Sequence, residues 1–131
     1  MSCKDCEAEG MVTRRPAPYP GPRCATHHRQ VVKVRRERGH ERNVRLVYGL
    51  GDGEYGRLYA FQGGRCAGCR RATGVTKRLA VDHSHATGEV RGLLCGPCNR
   101  IVGWFRDDPA TLLRLADYLT NPPARLMREA S

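Results

Sequence analysis

Two Cys-x2-Cys pairs, Cys66/Cys69 and Cys95/Cys98, constrain this chain more than anything else in it. Each such turn aims two soft thiolates at one point, and two turns complete the four-sulfur tetrahedron that zinc favours. The chain between them is therefore a loop with tied ends. Within it Leu79-Ala80-Val81-Asp82-His83 alternates weakly, as a strand does, and Glu89-Val90-Arg91-Gly92-Leu93-Leu94 reads as a second strand. His85-Ala86-Thr87-Gly88 supplies the turn between them, and Pro97 suits the first turn of a helix that starts near Cys95. The expected order is strand, turn, strand, helix, which makes a small α+β core stapled by a four-cysteine zinc site.

A chain of 131 residues can bury one modest core or two very small ones, and modules of that size commonly rely on metal or disulfide staples. Seven cysteines cannot all pair within one chain, and no apolar run of signal-peptide length follows Met1-Ser2-Cys3-Lys4-Asp5. A reduced, cytosolic compartment is expected. No stretch approaches the ~20 apolar residues that cross a bilayer, so a soluble protein with no membrane partner is expected. The net charge of +10 and the pI near 9.8 point to a polyanionic partner, although charge alone does not separate nucleic acid from anionic lipid. A zinc site of four thiolates carries −2 and one of three thiolates and an imidazole −1, so two such sites would bring +10 to +7 and leave the chain basic.

The chain divides into four expected parts. Residues 1–28 hold Cys3-x2-Cys6 and, after the stretch of Pro16, Pro18, Pro20, Gly21 and Pro22, Cys24-x2-His27 with His28 adjacent. Proline and glycine exclude a regular helix there. Cys3, Cys6, Cys24 and one histidine make a second zinc site, a knuckle that folds on its metal. The repeated x2 spacing favours His27 over His28 as the fourth ligand. Residues 29–62 form a basic helical linker and a short helix. The helix is expected to be interrupted or weakened at Gly39, with Val31, Val34, Val44 and Val47 on buried faces and its arginines outward, as a solvated linker or an arm that tracks phosphates. Asp52 is expected to cap the short helix, whose Tyr55, Leu58, Tyr59 and Phe61 read as core side chains before they read as base-stacking ones. Residues 63–105 are the strand–strand–helix core. Residues 106–131 form a last helix and a frayed tail from Ala124, with Asp108 as N-cap, Pro109 at the first helical position, and Leu112, Leu115, Ala116 and Leu119 as a stripe that packs on the core or a partner subunit.

Asp82, His83, His85 and Asn99 are the candidate catalytic residues. Phosphodiester hydrolysis needs an activated water, charge stabilisation at phosphorus and help for the departing oxygen. A neutral imidazole can deprotonate water near pH 7, which casts His83 as general base. A hard cation such as Mg2+ or Mn2+ prefers oxygen, so the Asp82 carboxylate and the Asn99 amide carbonyl suit it while the thiolates keep zinc. His85, two residues from His83, would share its side of an extended strand and either contact the scissile phosphate or assist the cation.

The string LAVDHSHATGEVRGLLCGPCNR, together with Cys66-x2-Cys69, closely resembles the phage recombination endonuclease VII family, a branch of the His-Me finger (ββα-metal, HNH-like) nucleases. The resemblance spans about residues 60 to 105. It implies a ββα-metal core with zinc on Cys66, Cys69, Cys95 and Cys98, a catalytic Mg2+ on Asp82 and Asn99, and His83 as the water-activating base. It further implies resolution of branched DNA such as four-way junctions by a homodimer, products with 5′ phosphates, and action in a bacterial host's cytoplasm. In the best-known form the zinc cysteines lie near the N-terminus, whereas here a long segment precedes Cys66, and an acidic position of that form falls near Val102, which cannot ligate a metal. Two other readings share the same motifs: an HNH-type nicking or sequence-specific endonuclease, and a non-catalytic zinc module that binds DNA. The Asp-His-x-His run and the Asn after the last cysteine weigh against the second.

Overall fold

A computed structural model of the protein describes residues 2–11, 16–17 and 21–131, so Pro18 and Pro20 of the proline-rich stretch lie outside the described residues. The chain falls into two compact units, Met1–Asp52 and Gly53–Ser131. The described residues form a small α+β protein of six helices and one two-stranded antiparallel sheet.

In the first unit, helix α1 (Lys4–Ala8) starts at Cys3 and helix α2 (Ala25–Tyr48) starts at Cys24. Regular helix therefore reaches further into residues 1–28 than their proline and glycine content implies, because Cys3 and Cys24 each stand as an N-cap in extended conformation. Helix α2 runs unbroken through Gly39. One interior glycine costs a helix only about 1 kcal/mol against alanine, and a helix of 24 residues absorbs that. It stops where Gly49, at φ 70°, takes the left-handed cap and donates to the Arg45 carbonyl. Of the four valines expected inside, only Val44 is buried, Val31 is half-buried and Val34 and Val47 are exposed. The sequence between them is too rich in arginine to give the helix a continuous apolar face.

The second unit comprises α3 (Glu54–Phe61), β1 (Ala80–His83), β2 (Val90–Leu94), α4 (Gly96–Trp104), α5 (Pro109–Thr120) and α6 (Pro123–Glu129). Strand, turn, strand and helix follow in the expected order. The hairpin closes on Gly88, whose N–H donates to the Ser84 carbonyl, while the Ser84 N–H donates to Glu89. Register runs from Ala80 opposite Leu94 to Asp82 opposite Gly92, then slips so that His83 faces Val90, which leaves Arg91 as the extra residue of a bulge. Helix α4 packs on both strands and α3 on β2. The core comprises Tyr55, Leu79, Val81, Leu93 and Leu94, with the buried Tyr55 hydroxyl donating to the Leu79 carbonyl at 2.6 Å. Each such apolar side chain contributes about 1.5–3 kcal/mol by leaving water. The buried Gln62 amide donates to the Leu93 carbonyl and accepts from the Leu93 N–H, at 2.9 and 2.8 Å.

From Asp52 onward several expectations fail. Gly53, not Asp52, caps α3, and Asp52 instead pairs with Arg45 at 3.2 Å. Tyr55 is core, but Phe61 is 90% exposed because it lies on the far side of a helix only two turns long. The tail is helical in α6, since Pro123 occupies a first-turn position where its missing N–H costs nothing. Asp108 caps α5 as expected, accepting from the N–H groups of Ala110 and Thr111. The stripe on α5 does not join the core, with Leu115 and Leu119 exposed and only Leu112 half-buried.

Candidate functional site

All seven cysteines converge into two clusters. Cys66, Cys69, Cys95 and Cys98 form one, Cys3, Cys6, Cys24 and His27 the other, and within each the ligand atoms lie within 4.8 Å of one another. A tetrahedral ion with bonds of ~2.3 Å to sulfur needs its sulfurs ~3.8 Å apart. The Cys69 and Cys95 sulfurs are separated by 3.9 Å, and so are those of Cys6 and Cys24. Both donor sets fit zinc.

Local geometry explains each convergence. In the four-cysteine cluster the Cys66 N–H is tied to the Ala72 carbonyl and the Arg70 N–H to the Cys66 carbonyl, which curls the first Cys-x2-Cys turn. A Cβ at Gly68 would stand 3.2 Å from the Cys98 sulfur, so this turn needs glycine for the second pair to approach. That second pair opens α4, with Cys95 at the N-cap and Cys98 in the first turn. In the N-terminal cluster Cys24 caps α2 and His27 lies one turn in, on the same helix face. His27 Nδ1 is 3.3, 3.3 and 3.4 Å from the sulfurs of Cys3, Cys6 and Cys24. It is therefore His27 that the structure brings to the three sulfurs. On the other side of its ring, Nε2 meets a Glu9 carboxylate oxygen at 3.2 Å, the kind of outer partner that fixes the tautomer of a metal-bound imidazole.

Without a cation these groups conflict. Burial and then the Cys95, Cys66 and Cys69 thiols push Cys98 up to about 12, and burial with the Cys3 and Cys24 thiols pushes Cys6 up to about 11. Backbone N–H groups of Ala72 and Arg71 draw Cys69 down to about 6, and at Cys3 the opposing burial is outweighed by N–H groups of Cys24 and Cys6, again to about 6. The Cys3 thiolate in turn holds the His27 imidazole up to about 9. Only part of each set can be anionic together until a divalent ion compensates the charge.

Around the hairpin the predicted residues fall on two neighbouring elements. Asp82 and His83 end β1, His85 lies in the turn beyond, and Asn99 sits half-buried in the first turn of α4, which packs on β1. The His83 and His85 rings are 5.3 Å apart between centroids and tilted by 48°. Asp82 is 7% exposed, and both of its oxygens accept from Arg91, at 2.7 Å from Nε and 2.9 Å from Nη2. Arg91 Nη2 also reaches Asp107 Oδ1 at 3.1 Å, and Asp107 Oδ2 lies 2.9 Å from His85 Nδ1. Its bonds to Asp82 and then Asp107 hold the pKa of the Arg91 guanidinium above its already high value, and those to His85 and then Arg91 hold the Asp107 carboxyl well below the usual carboxylate range.

Sequence reasoning missed Arg91, Asp107 and Glu9. Arg91 was within reach, since a turn at 85–88 folds it back beside Asp82. Glu9 and Asp107 carry no local signal. Among the described residues, no helix is long and apolar enough to cross a membrane.

Comparison with known proteins bears on the whole arrangement. A family model described as recombination endonuclease VII matches residues 41–121. The chain is 54% identical over 123 residues, 93% of its own length and 74% of the relative's, to the Gene 59 protein of Mycobacterium phage D29. It is 52% identical over 123 residues, 93% of its length and 75% of the relative's, to the Gene 59 protein of Mycobacterium phage L5. No solved structure matches it.

Proposed function

The chain belongs to the recombination endonuclease VII family, and from that premise we propose that it is a metal-dependent endodeoxyribonuclease that cuts branched DNA such as four-way junctions. One observation carries the reading: Asp82 and His83 end the first strand of a strand–strand–helix unit, and the helix that presents Asn99 is anchored by the same cysteine cluster that holds the start of the loop. That order of elements supports reading the unit as a ββα-metal core.

His83 accepts the proton of the attacking water. Asp82 and Asn99 offer hard oxygen donors. A carboxylate has about four lone-pair sites, so the two Arg91 bonds leave Asp82 capacity for a cation, and Mg2+ or Mn2+ fits this oxygen set better than the thiolates do. Such an ion, when bound, supplies charge stabilisation at the leaving 3′ oxygen. Arg91 keeps the Asp82 carboxylate aimed. Zinc in the four-cysteine cluster keeps α4, and with it Asn99, against the hairpin. The products carry 5′ phosphates.

The arginines of α2 and the net charge of +10 suit non-specific contact with phosphates. Residues 1–28 act as a zinc knuckle, 29–62 as a basic helical arm, 63–105 as the nuclease core and 106–131 as a C-terminal appendage. Paired cuts across a junction need two active sites, hence a homodimer. Expression from a phage genome, as for its relatives, would place it in the host cytoplasm.

The test is a cleavage assay on four-way junction, nicked duplex, linear duplex and single-stranded DNA, with and without Mg2+. Mg2+-dependent cutting of the junction in preference to linear duplex is expected. Cutting at one fixed sequence regardless of branching would replace the proposal with a sequence-reading nicking enzyme. Binding with no cutting at all would leave a zinc module.

A further inference from the structure

The α4–α5 connection lies beyond the LAVDHSHATGEVRGLLCGPCNR string and holds an unusual backbone. Arg106 and Asp107, neither of them glycine, both adopt the left-handed conformation, at φ 53° and 57°. Each such residue costs on the order of 1–2 kcal/mol, less for aspartate, which tolerates that region better than most. The turn itself asks only for the backbone. The N–H groups of Arg106 and Asp107 satisfy the Gly103 and Val102 carbonyls that α4 leaves open, and the next residue, Asp108, caps α5. Glycine would do that work with less strain. What glycine could not supply is the carboxylate.

That carboxylate is 17% exposed and turned to the hairpin. Its Oδ2 meets His85 twice, at 2.9 Å from Nδ1 and 3.3 Å from the backbone N–H, and its Oδ1 accepts from Arg91 at 3.1 Å. The His85 side chain is 68% exposed, open enough to meet a substrate, yet its ring is pinned through one nitrogen. Arg91 is the bulged residue of β2, and bulges are a common means of re-aiming a side chain beside a site. Its guanidinium grips Asp82 and Asp107 together.

We propose that Asp107 is a positioning residue of the nuclease site: it holds His85 in the Nδ1–H form, which leaves the Nε2 lone pair on the open side of the ring as a ligand for the catalytic cation or its water, and through Arg91 it locks the Asp82 carboxylate into the same frame. This rests on the nuclease reading above and gives His85 and Asp107 their places in it. A buried or half-buried carboxylate that fixes the tautomer and aim of an imidazole is a recurrent device in hydrolytic sites.

Asp107→Asn is the informative variant. Asparagine keeps the shape and tolerates positive φ, but it has one acceptor for the three donors that surround Asp107. The Arg91 cation takes the carbonyl oxygen, and the amide NH2 then faces His85 Nδ1. The expected result on zinc-loaded full-length protein, without DNA, is a switch of His85 to the Nε2–H form, read from the ring nitrogen shifts by NMR. Turnover on junction DNA is expected to fall about 10–100-fold, with KM little changed. Asp107→Gly relieves the strain while deleting the carboxylate, so it is expected to melt no lower than wild type and still to lose turnover. Wild-type turnover in either variant, or a His85 tautomer unaltered in Asp107→Asn, overturns the proposal. A wild-type protein inert on every DNA would instead remove the nuclease reading, while the tautomer measurement would still decide whether Asp107 sets the ring.

Discussion

Both metal clusters start from the same Cys-x2-Cys turn, yet they stand in opposite relations to the apolar core around them. Among the described residues of the first unit the sulfurs are the core: Cys3, Cys6 and Cys24 cluster together, and the other buried apolar residues, Val44 and Leu50, lie twenty or more positions along the chain from Cys24. At ~1.5 Å per helical residue, that puts Val44 roughly 30 Å away along α2. In the second unit the sulfurs adjoin a core that exists beside them, built on Tyr55, Leu79, Val81 and Leu93. The same ligand geometry is a substitute for hydrophobic burial in one place and an alignment device in the other. Under the proposed nuclease reading the second place is the one with use for alignment, because there Asp82 and His83 on β1 would work with Asn99 on α4.

Removing the metals tests that contrast most severely. Structural zinc in small modules is worth about 10–16 kcal/mol of folding free energy. A chelator should therefore erase amide protection throughout α1 and the first turns of α2, yet leave measurable hydrogen-exchange protection at Leu93, whose N–H is bonded to Gln62. Equal loss in both units would break the comparison. A smaller effect is expected from His83→Ala, whose turnover should fall about 10²–10⁴-fold while both zinc ions stay bound, by elemental analysis. Retained cutting by that variant would mean that the chemistry lies elsewhere. Leu93→Ala should cost the second unit about 2–5 kcal/mol in a denaturant titration. Zinc affinity at the N-terminal cluster is the control there, and if it moves the units are not independent.

The finest distinction concerns Glu9. Glu9→Gln should weaken zinc about 10–100-fold at the N-terminal site alone, measured by competition with a chromophoric chelator. Zinc affinity at that site should also rise with pH. In the metal-free cluster Cys6, at about 11, and His27, at about 9, hold protons at neutral pH that the metal must displace. Raising the pH removes that competition, so the sign is towards tighter binding. Calorimetry in buffers of different ionisation enthalpy counts the protons released, and a count of zero would contradict the assignment of these ligands.

What was legible in the sequence was whatever short spacing decides. The three Cys-x2-Cys pairs, the Cys24–His27 offset, the hairpin with its following helix and the Asp108 cap all depend on residues within a turn or two of one another. Other features escaped because they depend on balances over longer range. Helix α2 passes Gly39 since one weak residue cannot end a helix this long, and Val34 and Val47 stay outside since too few apolar partners line up with them. Asp107 reaches His85 through two left-handed residues after α4, a conformation that neither Arg106 nor Asp107 announces.

A two-stranded sheet has two open edges, and an open edge is an invitation to any other extended chain. At the middle of β2 that invitation is withdrawn by the Gln62 side chain, whose amide carries one donor and one acceptor in the same spacing as a peptide group and takes up both polar groups of Leu93. The fit is close: a Cβ at Gly92 would lie 3.1 Å from the Gln62 carbonyl oxygen. The glutamine thus acts as a single-residue third strand. It lets the hairpin remain two strands wide while denying an incoming chain the middle of the β2 edge.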